Sequence, residues 1–116
     1  MKPPSEAQLL RVFIGEADRF EGQPLHEAIV ALAREKDMAG ATVLRGVMGF
    51  GVHSKMHSAK ILRISEDLPV VIEIVDKPEK IETFLPLLDE MIEEGLVTLE
   101  NVKVVAYRGH SSEQGL

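Results

Sequence analysis

The first apolar run of the chain, residues 8–15, predicts a β-strand because its hydrophobic positions sort onto two opposite faces. Leu10, Val12 and Ile14 fall on one face, and Leu9 and Phe13 fall on the other. Such a strand is covered on both sides. A helical period follows over residues 24–38, with Pro24 at its start and Gly40 after its end. The apolar stripe of this helix comprises Leu25, Ala28, Ile29, Leu32 and Ala33.

Three further apolar stretches have strand character. Residues 41–48 are interrupted by Arg45 and Gly46, which favours a strand that another backbone approaches closely or that carries a bulge. The short stretch 61–64 follows a polar loop. The run 70–75, Val-Val-Ile-Glu-Ile-Val, is the strongest strand signal in the chain.

A second helix is predicted to start where Asp76 offers an acceptor side chain ahead of Pro78 and the acidic Glu79. It ends before Gly95. Pro86 lies inside the pattern and removes one backbone donor, so we expect a kink or a restart there. The apolar stripe comprises Ile81, Phe84, Leu85, Leu88 and Ile92.

Residues 97–99 and 102–107 complete the pattern as strand, and the polar tail 109–116 is expected to be mobile. The element order is β-α-β-β-α-β, which predicts an α+β fold: a ferredoxin-like sandwich with a four-stranded antiparallel sheet and two helices on one face. We expect one domain over 1–116, with an ordered core over about 8–108.

Two helices can cover only one face of that sheet, yet both faces look apolar. Leu9, Phe13, Val71 and Val105 carry hydrophobic surface on the strands that also supply the core. We therefore expect the uncovered face to be buried by self-association.

Composition and charge exclude several classes of function. The chain has 116 residues, a net charge of −6 and no cysteine, so thiolate zinc sites, cysteine nucleophiles and disulfides are excluded. The acidic balance and the lack of tryptophan argue against nucleic-acid binding. No signal peptide or membrane span is recognisable, and a cytoplasmic location is expected.

The segment 49–60 is long for a plain hairpin connection, and long loops in compact domains are often functional. It opens on Gly49, Phe50 and Gly51, whose glycines allow backbone N–H groups to face a ligand. Its basic residues, His53, Lys55, His57 and Lys60, suit an anion. A solvated hairpin tip is the plain alternative.

Lys77 and Lys80 flank the start of the second helix, where free N–H groups and the helix dipole favour an anion. Arg108, after the last strand, adds a planar donor suited to phosphate. Solvated surface cations are the alternative for all three. No catalytic constellation is recognisable, because no buried carboxylate is placed to orient His53 or His57 beside a serine.

Two motifs carry a family resemblance. The segment Gly46–Gly51, GVMGFG, is followed by a basic loop and then by Leu68–Asp76, LPVVIEIVD. This pattern resembles the PII-like signalling proteins, an uncharacterised branch related to the PII signal-transduction proteins, and the likeness runs from about Leu9 to Arg108.

The resemblance implies a homotrimer that is regulatory rather than catalytic, with ligands bound in clefts between subunits. AMP, ADP or ATP is the implied effector, and the loop would dock on a partner such as a transporter or an enzyme. Gly49, Phe50 and Gly51 would form the loop base. Lys77, Lys80 and Arg108 would complete the ligand site.

The sequence also departs from the PII pattern: residues 76–80 lack the glycines of the PII phosphate loop, and the 49–60 loop has no tyrosine that could be modified. A CutA-like divalent-metal-binding protein is the alternative, with His53 and His57, four residues apart, as ligands. A small enzyme using the same intersubunit cleft is a third hypothesis.

Overall fold

The computed structural model of this chain describes residues 5–51 and 67–109. The strands are β1 (Ser5–Gly15), β2 (Arg19–Phe20), β3 (Gln23–Pro24), β4 (Thr42–Arg45), β5 (Pro69–Asp76) and β6 (Leu96–Val104). The helices are α1 (Leu25–Glu35) and α2 (Pro78–Asp89).

The four long strands form one sheet in the order β4-β5-β1-β6, with every neighbouring pair antiparallel. In chain order these are the second, third, first and fourth strands, which is the ferredoxin-like arrangement. The predicted fold class is confirmed. The first strand lies at the centre, so its residues meet β5 on one side and β6 on the other.

Both helices pack on the same face of the sheet. The alternation predicted for β1 and β5 is confirmed, since the buried residues of both strands join the buried stripes of the helices in one cluster. This cluster comprises Leu10, Val12, Ile14, Val70, Ile72, Ile74, Leu25, Ile29, Ala33, Ile81, Phe84 and Leu88. Its aliphatic residues interdigitate around a single aromatic side chain, Phe84.

The end of α1 differs from the prediction. The helix stops at Glu35, before residue 38, and Gly40 does not end it. Asp37 adopts the left-handed conformation with φ 57°, and the Met38 N–H donates to the Ala33 carbonyl at 3.0 Å. This is a Schellman closure with aspartate where glycine is usual.

A small hairpin, β2–β3, precedes α1 where the sequence predicted only a polar loop. Glu21 and Gly22 have φ values of 49° and 84°, as the two central residues of a type I′ turn require. The prediction missed it because Glu-Gly is a weaker signal for this turn than Asn-Gly.

The second helix starts at Pro78, as predicted, but continues through Pro86 to Asp89 without a restart. Buried residues on both sides of the proline, Phe84 and Leu88, hold this segment on the sheet. Of the kink or restart predicted at Pro86, the restart is therefore wrong. Tertiary packing outweighs the loss of one helical hydrogen bond here.

Strand boundaries were also misjudged. β4 ends at Arg45 rather than at residue 48, and β6 is one strand that ends at Val104, so residues 105–107 lie beyond it. The close approach predicted at Gly46 is confirmed, because its N–H donates to the Pro69 carbonyl at 2.7 Å. The predicted strand 61–64 lies outside the described residues.

The open face of the sheet, opposite the helices, has an apolar surface with a charged centre. Arg11 donates to Glu73 at 2.9 Å and to Glu100 at 2.7 Å. The hydrogen bond to Glu73, with support from the charge of Glu100, raises the pKa of Arg11 above its ordinary value. The surrounding apolar residues on this face are Leu9, Phe13, Leu44, Val71, Val75 and Leu96.

Candidate ligand-binding site

The base of the long loop is fixed by a glycine. Gly49 has φ 156°, and a Cβ atom at this position would lie 2.7 Å from Cγ of Pro69. Any other residue would be strained in its backbone and would collide with the first residue of β5. Gly49 is therefore needed to bring Phe50 and Gly51 back over the end of the sheet. Residues 52–60 of the predicted loop lie outside the described residues.

Phe50 and Gly51 line a cleft of about 420 Å³ at this end of the sheet. We call it the loop-base cleft; its other walls include Phe13, Gly95 and Leu96. The Phe50 side chain is 71% exposed. An exposed aromatic ring beside apolar walls offers a flat ligand a surface for stacking.

The loop-base cleft also contains carboxylates. Asp18 accepts a hydrogen bond from the Gly15 N–H at 2.9 Å, and Asp67 accepts one from the Ala17 N–H at 3.2 Å. Both carboxylates brace the turn that follows β1. Among the described residues that line this cleft none is basic, so a phosphate group would need cations from elsewhere.

Sequence reasoning treated Gly95 only as the residue that follows the second helix, but it forms a wall of the cleft. Its φ is 156°, and an added Cβ would lie 2.8 Å from the carbonyl oxygen of Phe13. Local sequence carried no signal for this contact, because it depends on how β6 enters the sheet beside β1.

The predicted cations lie at the other end of the sheet. Lys77 caps the start of α2, and Arg108 is exposed beyond the end of β6. The ammonium group of Lys80 contacts the carbonyl oxygen of Asp37 and lies 3.9 Å from Oδ2 of Asp76. Lys80 is therefore already engaged, whereas Arg108 is exposed and Lys77 is half-buried.

Asp76 was expected to cap α2 with its side chain, and that expectation is wrong. The residue that caps the helix is Lys77, and Asp76 is completely buried ahead of it. Oδ1 accepts from the Lys77 N–H at 2.7 Å, and Oδ2 accepts from the Ala39 N–H at 2.8 Å. The carboxylate thus joins α2 to the connection after α1.

Within this chain the two groups of predicted site residues do not meet. β5 begins beside Gly49 at Pro69 and ends beside Lys77 at Asp76, so seven residue steps separate the ends. At about 3.3 Å per step this is a separation of about 23 Å. Gly49, Phe50 and Gly51 lie at one end, and Lys77, Lys80 and Arg108 lie at the other.

The metal alternative finds no counterpart in the described part of the chain. His53 and His57 lie outside it, and within 5–51 and 67–109 no group of three or more His, Cys, Asp or Glu side chains is arranged to hold a metal ion. No helix among the same residues is long and apolar enough to cross a membrane.

Residues 7–104 match the sequence profile of the DUF190 family, described as "Uncharacterized ACR". The chain belongs to the DUF190 family. The match includes both ends of the sheet and the 49–60 loop, but it stops short of Tyr107 and Arg108.

DUF190 relatives of similar length support this. A UPF0166 protein of Aquifex aeolicus is 39% identical over 98 residues, covering 84% of this chain and 92% of the relative. A UPF0166 protein of Methanocaldococcus jannaschii is 36% identical over 109 residues, covering 93% of this chain and 98% of the relative.

Solved structures place the DUF190 chain among proteins of PII-like fold. CPII, a nitrogen regulatory PII-like protein from Thiomonas intermedia K12 bound to ADP, AMP and bicarbonate, superimposes with a TM-score of 0.58 at 17% identity, covering 88% of this chain and 91% of CPII. A candidate PII-like signaling protein from Thermus thermophilus gives 0.58 at 17% identity, covering 86% and 90%. The fold that the PII-like resemblance implied is confirmed.

Proposed function

We propose that this protein is a non-catalytic, cytoplasmic PII-like regulator. It forms a homotrimer, binds a small anionic effector in clefts between subunits, and acts on a partner protein through the 49–60 loop. The effector is an adenine nucleotide.

The observation that carries the proposal is the separation of the two halves of the candidate site. Among the residues that the structure describes, the loop-base cleft has Phe50 and apolar walls but no cation, while Lys77 and Arg108 lie about 23 Å away at the opposite end of β5. In a head-to-tail ring each interface joins two different surface patches, one from each neighbour, and we take the two ends of the sheet to be these patches. Such an arrangement completes one site per interface.

The chemistry of the two halves suits a nucleotide. An adenine ring stacks on an exposed aromatic side chain, and Phe50 is 71% exposed. Phosphate groups are bound by ammonium and guanidinium donors, and Lys77 and Arg108 offer one of each.

Support for self-association comes from the open face of the sheet. Leu44 is 48% exposed and Leu96 is 56% exposed on this face, beside the half-buried Phe13 and Val71. Apolar residues spread over a whole sheet face are typical of a surface that another subunit covers. The CPII structures with bound ADP and AMP supply the analogy for the ligand.

Calorimetric titration of the purified protein with AMP, ADP, ATP and cyclic AMP, with and without magnesium, tests the ligand, and light scattering tests the trimer. We expect saturable binding, with Lys77→Ala and Arg108→Ala each weakening the affinity about tenfold or more through the loss of a charged hydrogen bond. Arg19→Ala removes an exposed arginine of the β2–β3 hairpin and serves as the charge-matched control.

Affinity that stays unchanged in both the Lys77 and the Arg108 variants would refute these residue assignments. If none of the four nucleotides binds to the wild-type trimer, the adenine-nucleotide proposal itself is wrong. Hydrolysis of any of them by the pure trimer would instead favour the small-enzyme hypothesis.

A further inference from the structure

Asp76 is a buried carboxylate whose partners come from two separate parts of the chain. It is 0% exposed, and its two oxygens accept backbone N–H groups from Lys77 at 2.7 Å and from Ala39 at 2.8 Å. A buried charge is retained when its hydrogen bonds and its countercharge are all supplied. The countercharge here is the ammonium group of Lys80, 3.9 Å from Oδ2.

Lys80 makes a second contact between the start of α2 and the segment after α1. Its ammonium group donates to the carbonyl oxygen of Asp37, the residue that adopts the left-handed conformation with φ 57°. A non-glycine residue keeps this conformation only where its surroundings hold it. The α1–β4 loop, residues 36–41, is thus fastened to the start of α2 by one lysine and one aspartate.

A third segment joins at Ala39. While its N–H donates to Asp76, its carbonyl oxygen accepts the hydroxyl proton of Tyr107 at 2.9 Å. The Tyr107 side chain is 37% exposed, and it attaches the segment 105–109 to the α1–β4 loop. A disturbance at Lys80 can therefore reach residues next to Arg108 through three polar contacts.

We infer that Asp76 is a positioning residue that couples anion binding at the lysines to the α1–β4 loop and the segment 105–109. This rests on the proposed function. A ligand phosphate that draws the Lys80 ammonium away from Asp37 and Asp76 loosens the α1–β4 loop. By reciprocity, the hold of Asp76 on Lys80 lowers the affinity for the anion.

The coupling is tested first without ligand. In Lys80→Met the amide proton of Ala39 is expected to exchange about tenfold faster than in the wild type, because a charged hydrogen bond that restrains the loop is lost. Tyr107 is the only tyrosine in a chain without tryptophan, so quenching of its fluorescence reports the same release. Lys103→Met, at an exposed lysine of β6, is the matched control.

Equal exchange and equal quenching in Lys80→Met and the wild type would overturn the inference, whatever the ligand is. With saturating ADP, the wild type is expected to show the faster Ala39 exchange, and Lys80→Met is expected to show no further change. If ADP binds and the exchange of Ala39 in the wild type is unaltered, the inference fails while the proposed function stands.

Asp76→Asn separates positioning from a merely structural role. With the competing carboxylate removed, ADP is expected to bind at least about fivefold tighter, at the lower end of usual coupling strengths. A structural carboxylate would instead give unchanged or weaker binding, which would overturn the inference. If Asp76→Asn does not fold, or if no nucleotide binds and the proposed function falls, the ligand-free comparison of Lys80→Met with Lys103→Met still decides the coupling.

Discussion

An added Cβ atom on Gly95 would lie 2.8 Å from the carbonyl oxygen of Phe13, and Gly95 also has φ 156°. The turn between α2 and β6 therefore depends on a residue without a side chain in two independent ways. This contact sets one wall of the loop-base cleft, because Phe13 and Gly95 both line it.

Gly95→Ala is accordingly expected to lower the free energy of unfolding by about 2 kcal/mol or more, from backbone strain and the collision with Phe13. Urea denaturation followed by circular dichroism measures this. Gly40→Ala is the matched control, since nothing lies within 4 Å of its added Cβ, and we expect a change below about 0.5 kcal/mol. Equal effects of the two substitutions would contradict the explanation.

Asp37 has a left-handed backbone conformation, so a substitution to glycine is expected to stabilise the protein. Asp37→Gly is expected to stabilise the protein by about 0.5–1 kcal/mol, because glycine is the usual residue at this helix-closing position. Asp37→Ala removes the same carboxylate without relieving the backbone, and we expect it to destabilise. Denaturation midpoints that move in the same direction for both variants would show that the carboxylate matters more than the backbone.

The features of this structure that neighbouring residues in the sequence determine could be predicted, and those that depend on distant residues could not. The run 70–75 revealed both faces of β5, because alternation decides which of Val70 and Val71 is buried. The helix closure at Asp37 and the role of Gly95 as a cleft wall were missed. Each depends on the backbone conformation of one residue, which its residue type alone does not determine.

The burial of Asp76 at the candidate site could not be predicted from the sequence for the same reason. An aspartate ahead of Pro78 reads as a helix cap, and carboxylates are normally exposed. Its burial depends on the Ala39 N–H, which comes from a segment far away in sequence. The cations Lys77, Lys80 and Arg108 were predicted from their charge and from their positions at a helix start and after the last strand. Their distance from Phe50 follows from the direction of β5 and needed the structure.

Self-association through the open face predicts a charge-sensitive assembly. Val71 lies on this face opposite Phe13 and Leu44, so Val71→Glu would place an unpaired carboxylate in the interface. We expect the concentration for half-dissociation to rise by about a hundredfold or more. Light scattering measures the mass, while circular dichroism checks that the subunit remains folded.

Ala31→Glu is the control for this substitution, because Ala31 is exposed on α1 on the helix-covered side. It adds the same charge and should leave the mass unchanged. An unchanged mass in Val71→Glu would exclude the open face as the subunit interface.

A site shared between subunits predicts rescue when defective subunits are mixed. Phe50→Ala removes the stacking surface of the loop-base cleft, and a Lys77→Ala/Arg108→Ala double variant removes the cations at the other end of the sheet. Neither homotrimer is expected to bind the nucleotide tightly. Trimers reassembled from equal amounts of both should recover roughly a quarter of the sites, since each site then draws one end from each of two randomly chosen neighbours. Calorimetric titration counts these sites. If no sites are recovered, both ends of each site belong to the same subunit. The two ends lie about 23 Å apart along β5, at about 3.3 Å per residue, which is too far for one small ligand to span.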